Sequence, residues 1–155
     1  MDLARNDQGA VDLHREARMS LDQTQRTMDR YFGAMGRGDD FSTFFTADVT
    51  WTMMESGQEV RGPAAVRDYI HVLHSKMFEH QQRALAVSHS HAYLEGDCVD
   101  VPDGIVPVYD YCLVYDLEAD RISAMRCYGS IARLMPQAEA AEAVQLGRVA
   151  APGTP

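Results

Sequence analysis

The sequence predicts a single α+β domain, and three observations carry that expectation. Apolar residues recur at helical spacing from Leu21 to Met35 and again from Val66 to Met77. From about Gln82 the period switches to two and holds for roughly fifty residues, the pattern of successive strands. A chain of 155 residues is long enough for one sizeable core and too short for two ordinary domains.

Residues 1–19 mix charge, Gly and Gln without a sustained period and are expected to form a flexible arm. Ser20-Leu-Asp-Gln23 then reads as a capping box, opening a helix whose stripe is Leu21, Thr24, Met28, Tyr31, Phe32 and Met35. Gly36 to Gly38 end it. Asp39 and Asp40 suit the cap of a short second helix carrying Phe41, Phe44 and Phe45, an aromatic plug beside the first. Val49 to Glu55 alternates as a strand with Trp51, Met53 and Glu55 on one face, before a turn at Gly57. Gly62-Pro63 opens a third helix with the stripe Val66, Tyr69, Ile70, Leu73 and Met77. Strands are expected at 82–94, 97–101, 105–117 and 121–134. Glu95-Gly-Asp97, Pro102-Asp-Gly104 and Glu118-Ala-Asp120 separate them as turn formers, and such short connections imply antiparallel hairpins. The domain therefore spans 20–135, and 136–155 is an Ala/Glu-rich helical piece ending in a partly disordered Gly, Ala and Pro tail.

Composition narrows the partners. Lys and Arg total 14 against 23 Asp and Glu, with no basic run, so phosphate-backbone binding has no footprint and nucleic acid is not expected. No apolar stretch approaches the roughly 20 residues that span a bilayer, and the polar start lacks a signal-peptide core, which together suggest a cytoplasmic protein without membrane contact. Three cysteines, Cys98, Cys112 and Cys127, without CxxC spacing read as reduced thiols. In the 105–115 strand Ile105, Tyr109, Tyr111, Leu113 and Tyr115 alternate with Val106, Val108, Cys112 and Val114, so both faces are apolar. The helices can cover one; a homodimer through the sheet is expected to cover the other.

Helices first, a helix after the first strand, then a long meander is an order that resembles the nuclear transport factor 2-like superfamily. That superfamily includes ketosteroid isomerases, limonene epoxide hydrolases and SnoaL-like polyketide cyclases. The resemblance covers about 21–134. It is carried by Tyr31-Phe-Gly-Ala-Met-Gly-Arg-Gly-Asp39, Phe45-Thr-Ala-Asp-Val-Thr-Trp51, Arg61-Gly-Pro-Ala-Ala-Val-Arg-Asp-Tyr69, and Leu113-Val-Tyr-Asp-Leu-Glu-Ala-Asp-Arg-Ile122 leading to Tyr128. It implies a cystatin-like topology, a curved antiparallel sheet and three helices forming a cone-shaped pocket. It also puts Tyr31 where ketosteroid isomerases keep their oxyanion-hole tyrosine and Tyr111 where they keep a protonated acid. Their general-base aspartate falls on Met53. The water-positioning Tyr, Asn and Asp of the epoxide hydrolases fall on Trp51, Met53 and Cys127. The implied activity is a cofactor-independent cyclase, isomerase or hydratase acting on an apolar, oxygenated polyketide- or terpenoid-like molecule, with a non-catalytic binding protein of the same fold as the alternative.

With Met53 unable to move a proton, other groups are candidates. Glu55, two residues on, reads either as a carboxylate at the pocket rim or as a solvated strand end. His74 lies at the edge of the third helix's stripe, four residues after Ile70, whereas His71 is rotated away. His89 and His91 share a strand parity with Leu85, Val87 and Tyr93, the larger side chains, and are expected on the concave side. The catalytic candidates are therefore Tyr31, Glu55, His74, His89 and Tyr111. Phe32, Met35, Trp51, Met53, Ile70, Met77, His91, Tyr109, Leu113, Met125 and Cys127 are candidates to line the ligand. A metal is not expected: His89-Ser-His91-x₃-Glu95 has a cupin-like spacing, but its companion motif falls in the same hairpin with Pro107 in place of a histidine.

Overall fold

The structure, a computed structural model, describes residues 19–135; the predicted tail and all of the predicted arm except Met19 lie outside the described residues. Met19 is buried, and its amide donates to Ser90 Oγ at 3.1 Å, so the last residue of that arm is fixed against the sheet.

The capping box forms as read: the Gln23 amide donates to Ser20 Oγ (3.2 Å) and the Ser20 amide to Gln23 Oε1 (2.8 Å). It starts helix α1 (Leu21–Arg37), which Gly38 ends at φ 74°, a conformation in which a Cβ would be strained. Thr24, Thr27, Met28, Tyr31 and Ala34 form its buried face, while Leu21 is exposed. The predicted second helix is only a 3₁₀ turn, Phe41–Phe44, capped by Asp40 accepting from the Ser42 amide. Four residues cannot propagate an α-helix when Phe45 already extends into a strand. The described residues thus contain two α-helices, not three.

Strands β1 (Phe45–Met53) and β2 (Gln58–Arg61) form a hairpin. Helix α2 (Pro63–His74) follows, with Pro63 at its first turn and Val66, Tyr69, Ile70 and Leu73 buried. A meander of β3 (Phe78–Ser88), β4 (His91–Val99), β5 (Tyr109–Glu118) and β6 (Arg121–Tyr128) completes a six-stranded sheet in the order β2-β1-β6-β5-β4-β3. Every neighbouring pair is antiparallel except β1 and β6, which run parallel. The sheet is therefore mixed rather than antiparallel, because α2 returns the chain across the sheet before the meander brings its last strand beside the first. Register shifts in three of the pairings bend the ladders and help the sheet curve.

Three expectations about the meander are corrected. Glu95-Gly96-Asp97 is no turn but the middle of β4; the turn falls at His89-Ser90, with Ser90 at φ 65°. The alternation therefore changes phase, and Ala92, Leu94 and Cys98 face the core. Residues 101–108 form a loop in which Ile105 is 82% exposed, so strand β5 begins at Tyr109. On the outward side of the sheet the residual apolar surface is Tyr93, Cys112, Val114 and Tyr128. Finally, 130–134 is a second 3₁₀ turn instead of strand.

The helices pack on the inward face of the sheet. Val49, Trp51, Met53, Tyr111, Leu113, Tyr115, Met125 and Cys127 supply its buried side chains. Tyr31 is the hub of an aromatic cluster, with Phe32, Phe41, Phe44, Phe45 and Tyr115 at centroid distances of 5.2 to 6.2 Å, each such pair adding about 0.5–1.5 kcal/mol beyond burial. Among the described residues no helix is long and apolar enough to cross a membrane.

Candidate functional site

A cavity lies between the two helices and the inward face of the sheet. Helix α1 contributes Tyr31, Phe32 and Met35; α2 contributes Ile70, Leu73 and His74; Met77 follows. From the sheet come Trp51 of β1, His80 and Gln82 of β3, Leu94 of β4, Tyr111, Leu113 and Tyr115 of β5, and Cys127 of β6, with Ile131 beyond. The walls are mostly apolar, and the free space for atom centres is about 90 Å³, which suits a compact ligand more than a large one.

Burial and chemistry divide the lining into two kinds of polar group. Burial pushes the Tyr31 phenol well above its ordinary range. Burial does the same at Tyr111, with Cys98, Asp97 and Cys127 adding to it, and at Tyr115. These phenols stay protonated at neutral pH and act as hydrogen-bond donors. Cys127 is pushed up to about 12 by burial, so its thiol is not a nucleophile. His74 moves the other way: protein atoms crowding its ring, then His80 and His71, lower it to about 4. Part of the ring still meets solvent, which tempers the shift; its direction leaves His74 neutral at pH 7.

Two lining atoms stand out. Tyr111 Oη and Trp51 Nε1 are buried and have no hydrogen-bond partner among the described residues. The same holds for Tyr69 Oη, whose ring lies 5.8 Å from that of Trp51. Such donors normally find partners, because leaving one buried and unpaired costs about 1–3 kcal/mol. Tyr111 is held by its neighbours: its ring stacks on His80 (6.0 Å, 1°) and crosses β4 at Gly96, where any Cβ would collide with the phenol oxygen and the Gln81 carbonyl.

Of the residues singled out in the sequence, the cavity brings together Tyr31, His74, Tyr111, Phe32, Met35, Trp51, Ile70, Met77, Leu113 and Cys127. Met53 and Met125 point inward too but are sealed in the core at 0% exposure, outside the lining. The Tyr109 hydroxyl donates to Asp100 at 3.0 Å, away from the cavity. Glu55 is exposed in the β1–β2 turn, two residues beyond the end of the strand, and is not among the residues lining the cavity. His89 is exposed in the β3–β4 turn, and His91 faces outward, its Nδ1 3.0 Å from Asp116 Oδ1. The inward expectation for both runs the alternation of Leu85 and Val87 straight through the turn at His89-Ser90, where the strand in fact ends. Sequence reasoning did not single out Leu73, His80, Gln82, Leu94, Tyr115 or Ile131 as lining. Tyr115 shares the parity of Tyr111 and Leu113 and was readable on that ground; His80 and Gln82 needed the true start of β3. Among the described residues no group of three or more His, Cys, Asp or Glu side chains could hold a metal ion.

A curved sheet wrapped around two helices and one lined cavity defines the nuclear transport factor 2-like class of pocket proteins. The chain belongs to the SnoaL-like domain family, whose model matches residues 28–125. Among solved structures it is similar to a steroid delta-isomerase from Pseudomonas aeruginosa, with 12% identity, TM-score 0.60, and coverage of 83% of this chain and 92% of that one. An NTF2-like protein of unknown function from Cytophaga hutchinsonii is 21% identical with TM-score 0.55, over 68% of this chain and 98% of that one. A de novo designed protein with a curved β-sheet has TM-score 0.63 at 12% identity, over 83% and 99%. That a designed chain and an isomerase are both similar to this fold shows how little the fold alone says of activity. No curated protein matches the sequence.

Proposed function

We propose that this chain is a cofactor-independent enzyme that isomerises, cyclises or hydrates a compact, apolar, oxygen-bearing molecule of polyketide or terpenoid type by acid–base catalysis in the cavity. The Tyr111 hydroxyl carries this reading: it is buried, protonated, and without a hydrogen-bond partner among the described residues, in a mostly apolar lining. A donor so placed can polarise a carbonyl and stabilise negative charge as it develops, and low local dielectric strengthens that effect. Tyr31 offers a second protonated phenol from α1. His74, neutral at pH 7, is the side chain suited to accept the proton, with His80 near it on the same lining. So weak a base suits a C–H bond already acidified by the donated hydrogen bond.

The test is turnover of a panel of enones, β-diketones and related ketones. The expected rate falls with acid as His74 protonates below its ordinary range, and His74→Gln, which removes the proton acceptor, should lower turnover sharply. Replacing Tyr31 and Tyr111 together by Phe should lower kcat by about 100-fold or more. Undiminished turnover in the double variant would sink the assignment. A second reading, ligand binding without turnover, is favoured by one observation: no Asp or Glu lines the cavity among the described residues. Binding alone gives no pH-dependent rate, so the same profile separates the two.

A further inference from the structure

The loop between β4 and β5 displays apolar side chains that the described residues leave uncovered. Four of the eight exposed large apolar side chains among those residues fall on it: Val101 (50% exposed), Ile105 (82%), Val106 (78%) and Val108 (46%). A defined turn holds them out. Pro102 and Asp103, the latter at φ 57°, form its corner, and the Gly104 amide donates to the Val101 carbonyl at 3.1 Å. Gly104 packs so closely that a Cβ there would stand 2.9 to 3.1 Å from Val101 and Val99. Apolar side chains scattered singly over a surface need no explanation, but a cluster of them marks a contact surface.

The last described turn of the chain ends at the foot of this loop. Gly129 backs onto the Asp110 carbonyl, Ser130 Oγ accepts from the Asp110 amide at 2.9 Å, and Arg133 is close enough to the Tyr109 phenol to act on it. Tyr109 in turn donates to Asp100 at 3.0 Å, across the base of the loop. Residues 136–155 therefore start beside it. Their large apolar side chains are Val144, Leu146 and Val149, and from Ala143 onward the one charged side chain is Arg148. The stretch from Met135 to Val144 can span up to roughly 30 Å, so reach is no obstacle.

Two other occupants fit less well. The amino-terminal residues enter elsewhere: the Met19 amide donates to Ser90, whose carbonyl takes the Leu117 amide at the other end of β5, roughly 25 Å from Tyr109. A second copy placed loop to loop would set Asp100, Asp103 and Asp110 against their own counterparts, whereas Arg148 brings the opposite charge. We propose that this loop is the docking surface for the chain's own carboxy-terminal segment. Val144, Leu146 and Val149 cover Val101, Ile105, Val106 and Val108, with Arg148 beside the aspartates of the loop.

Hydrogen exchange of the full chain, read by mass spectrometry at two protein concentrations tenfold apart, tests this. Residues 143–150 should exchange at least about tenfold more slowly than a free peptide of the same sequence, equally at both concentrations. In the double variant Leu146→Ser, Val149→Ser, exchange should rise about tenfold in 143–150 and in 101–108 together, as expected when two apolar side chains lose their cover. Strands β4 and β5 should stay as protected as before, which shows that the variant is folded. Three results overturn the proposal: free-peptide exchange of 143–150 in the unsubstituted chain, exchange of 101–108 unchanged by the double substitution, or protection that appears only at the higher concentration, the mark of a second copy. The first and third are read on the unsubstituted chain and hold even if the variant fails to fold.

Discussion

The two faces of one sheet treat their polar groups in opposite ways. On the outward face Asp116 accepts from both Arg126 nitrogens at 2.5 and 2.8 Å and meets His91 at 3.0 Å, while Arg83 pairs with Asp97. On the inward face Tyr111 and Trp51 keep buried donors with no partner among the described residues. Outward polar atoms are spent on each other and serve the fold. Inward ones lower stability unless an acceptor beyond the described residues, such as a bound ligand, takes their hydrogen bonds. Activity and stability should therefore respond in opposite senses to substitutions on the two faces.

The largest effect is expected where the inward face is tightest. Gly96→Ala forces its methyl against the Tyr111 oxygen and the Gln81 carbonyl, so thermal or denaturant unfolding should show a loss of about 2–3 kcal/mol. A loss below about 0.5 kcal/mol would mean that Tyr111 is not fixed across Gly96. Next comes the outward cluster: Asp116→Ala strips Arg126 and His91 of their shared partner and should cost about 1 kcal/mol, a modest sum because the groups are partly solvated.

Two pH effects differ in sign and cause. Hydrogen bonding to Arg126 holds Asp116 below the usual carboxylate range; its stabilising contribution is complete above the unfolded value near 3.9 and fades as pH falls through the lower folded value. His74 is also depressed, but here the charged form is the disfavoured one. Between pH 6.5 and about 4 the unfolded chain takes up a proton that the folded chain refuses, so stability drops as acid is added. After allowance for the exposed part of the ring the effect should be about 1 kcal/mol or less, and His74→Gln should flatten it in unfolding curves recorded through that window.

The smallest effect is the most diagnostic. Tyr69→Phe and Tyr111→Phe each delete a hydroxyl that bonds nothing among the described residues, so unfolding should show no loss, or a gain of a few tenths of a kcal/mol. A loss of more than about 1 kcal/mol in either would mean that the hydroxyl is satisfied in solution and the contrast between the faces fails.

Much of this arrangement was legible in the residues. Ser20 and Gln23 announced the start of α1, Gly62-Pro63 the start of α2, and the stripes containing Tyr31, Phe32, Met35 and Ile70 gave the helical walls because local periodicity suffices there. The meander was harder. Glu95-Gly-Asp97 has turn chemistry, yet Gly96 is small for a different reason: a tyrosine from the next strand lies over it, a contact no local pattern records. The true turn, at His89-Ser90, takes His89 out of the sheet and leaves His91 on its outward face. Strand β2 is only four residues long, too short for an alternation to show. The parallel pairing of β1 with β6 joins residues distant in sequence and leaves no trace in either segment.

That last pairing has a consequence for how the molecule is made. The hairpins β3–β4, β4–β5 and β5–β6 close over short distances along the chain and can assemble early. Strand β1 has no such neighbour on one side: Trp51 lies beside Met125 and Met53 beside Cys127. During synthesis, then, the first strand waits, paired only with the short β2, until the last one has left the ribosome. The chamber that Trp51 and Cys127 share comes into being only at that closing event. Until then the apolar face of β1 is a surface that chaperones can hold.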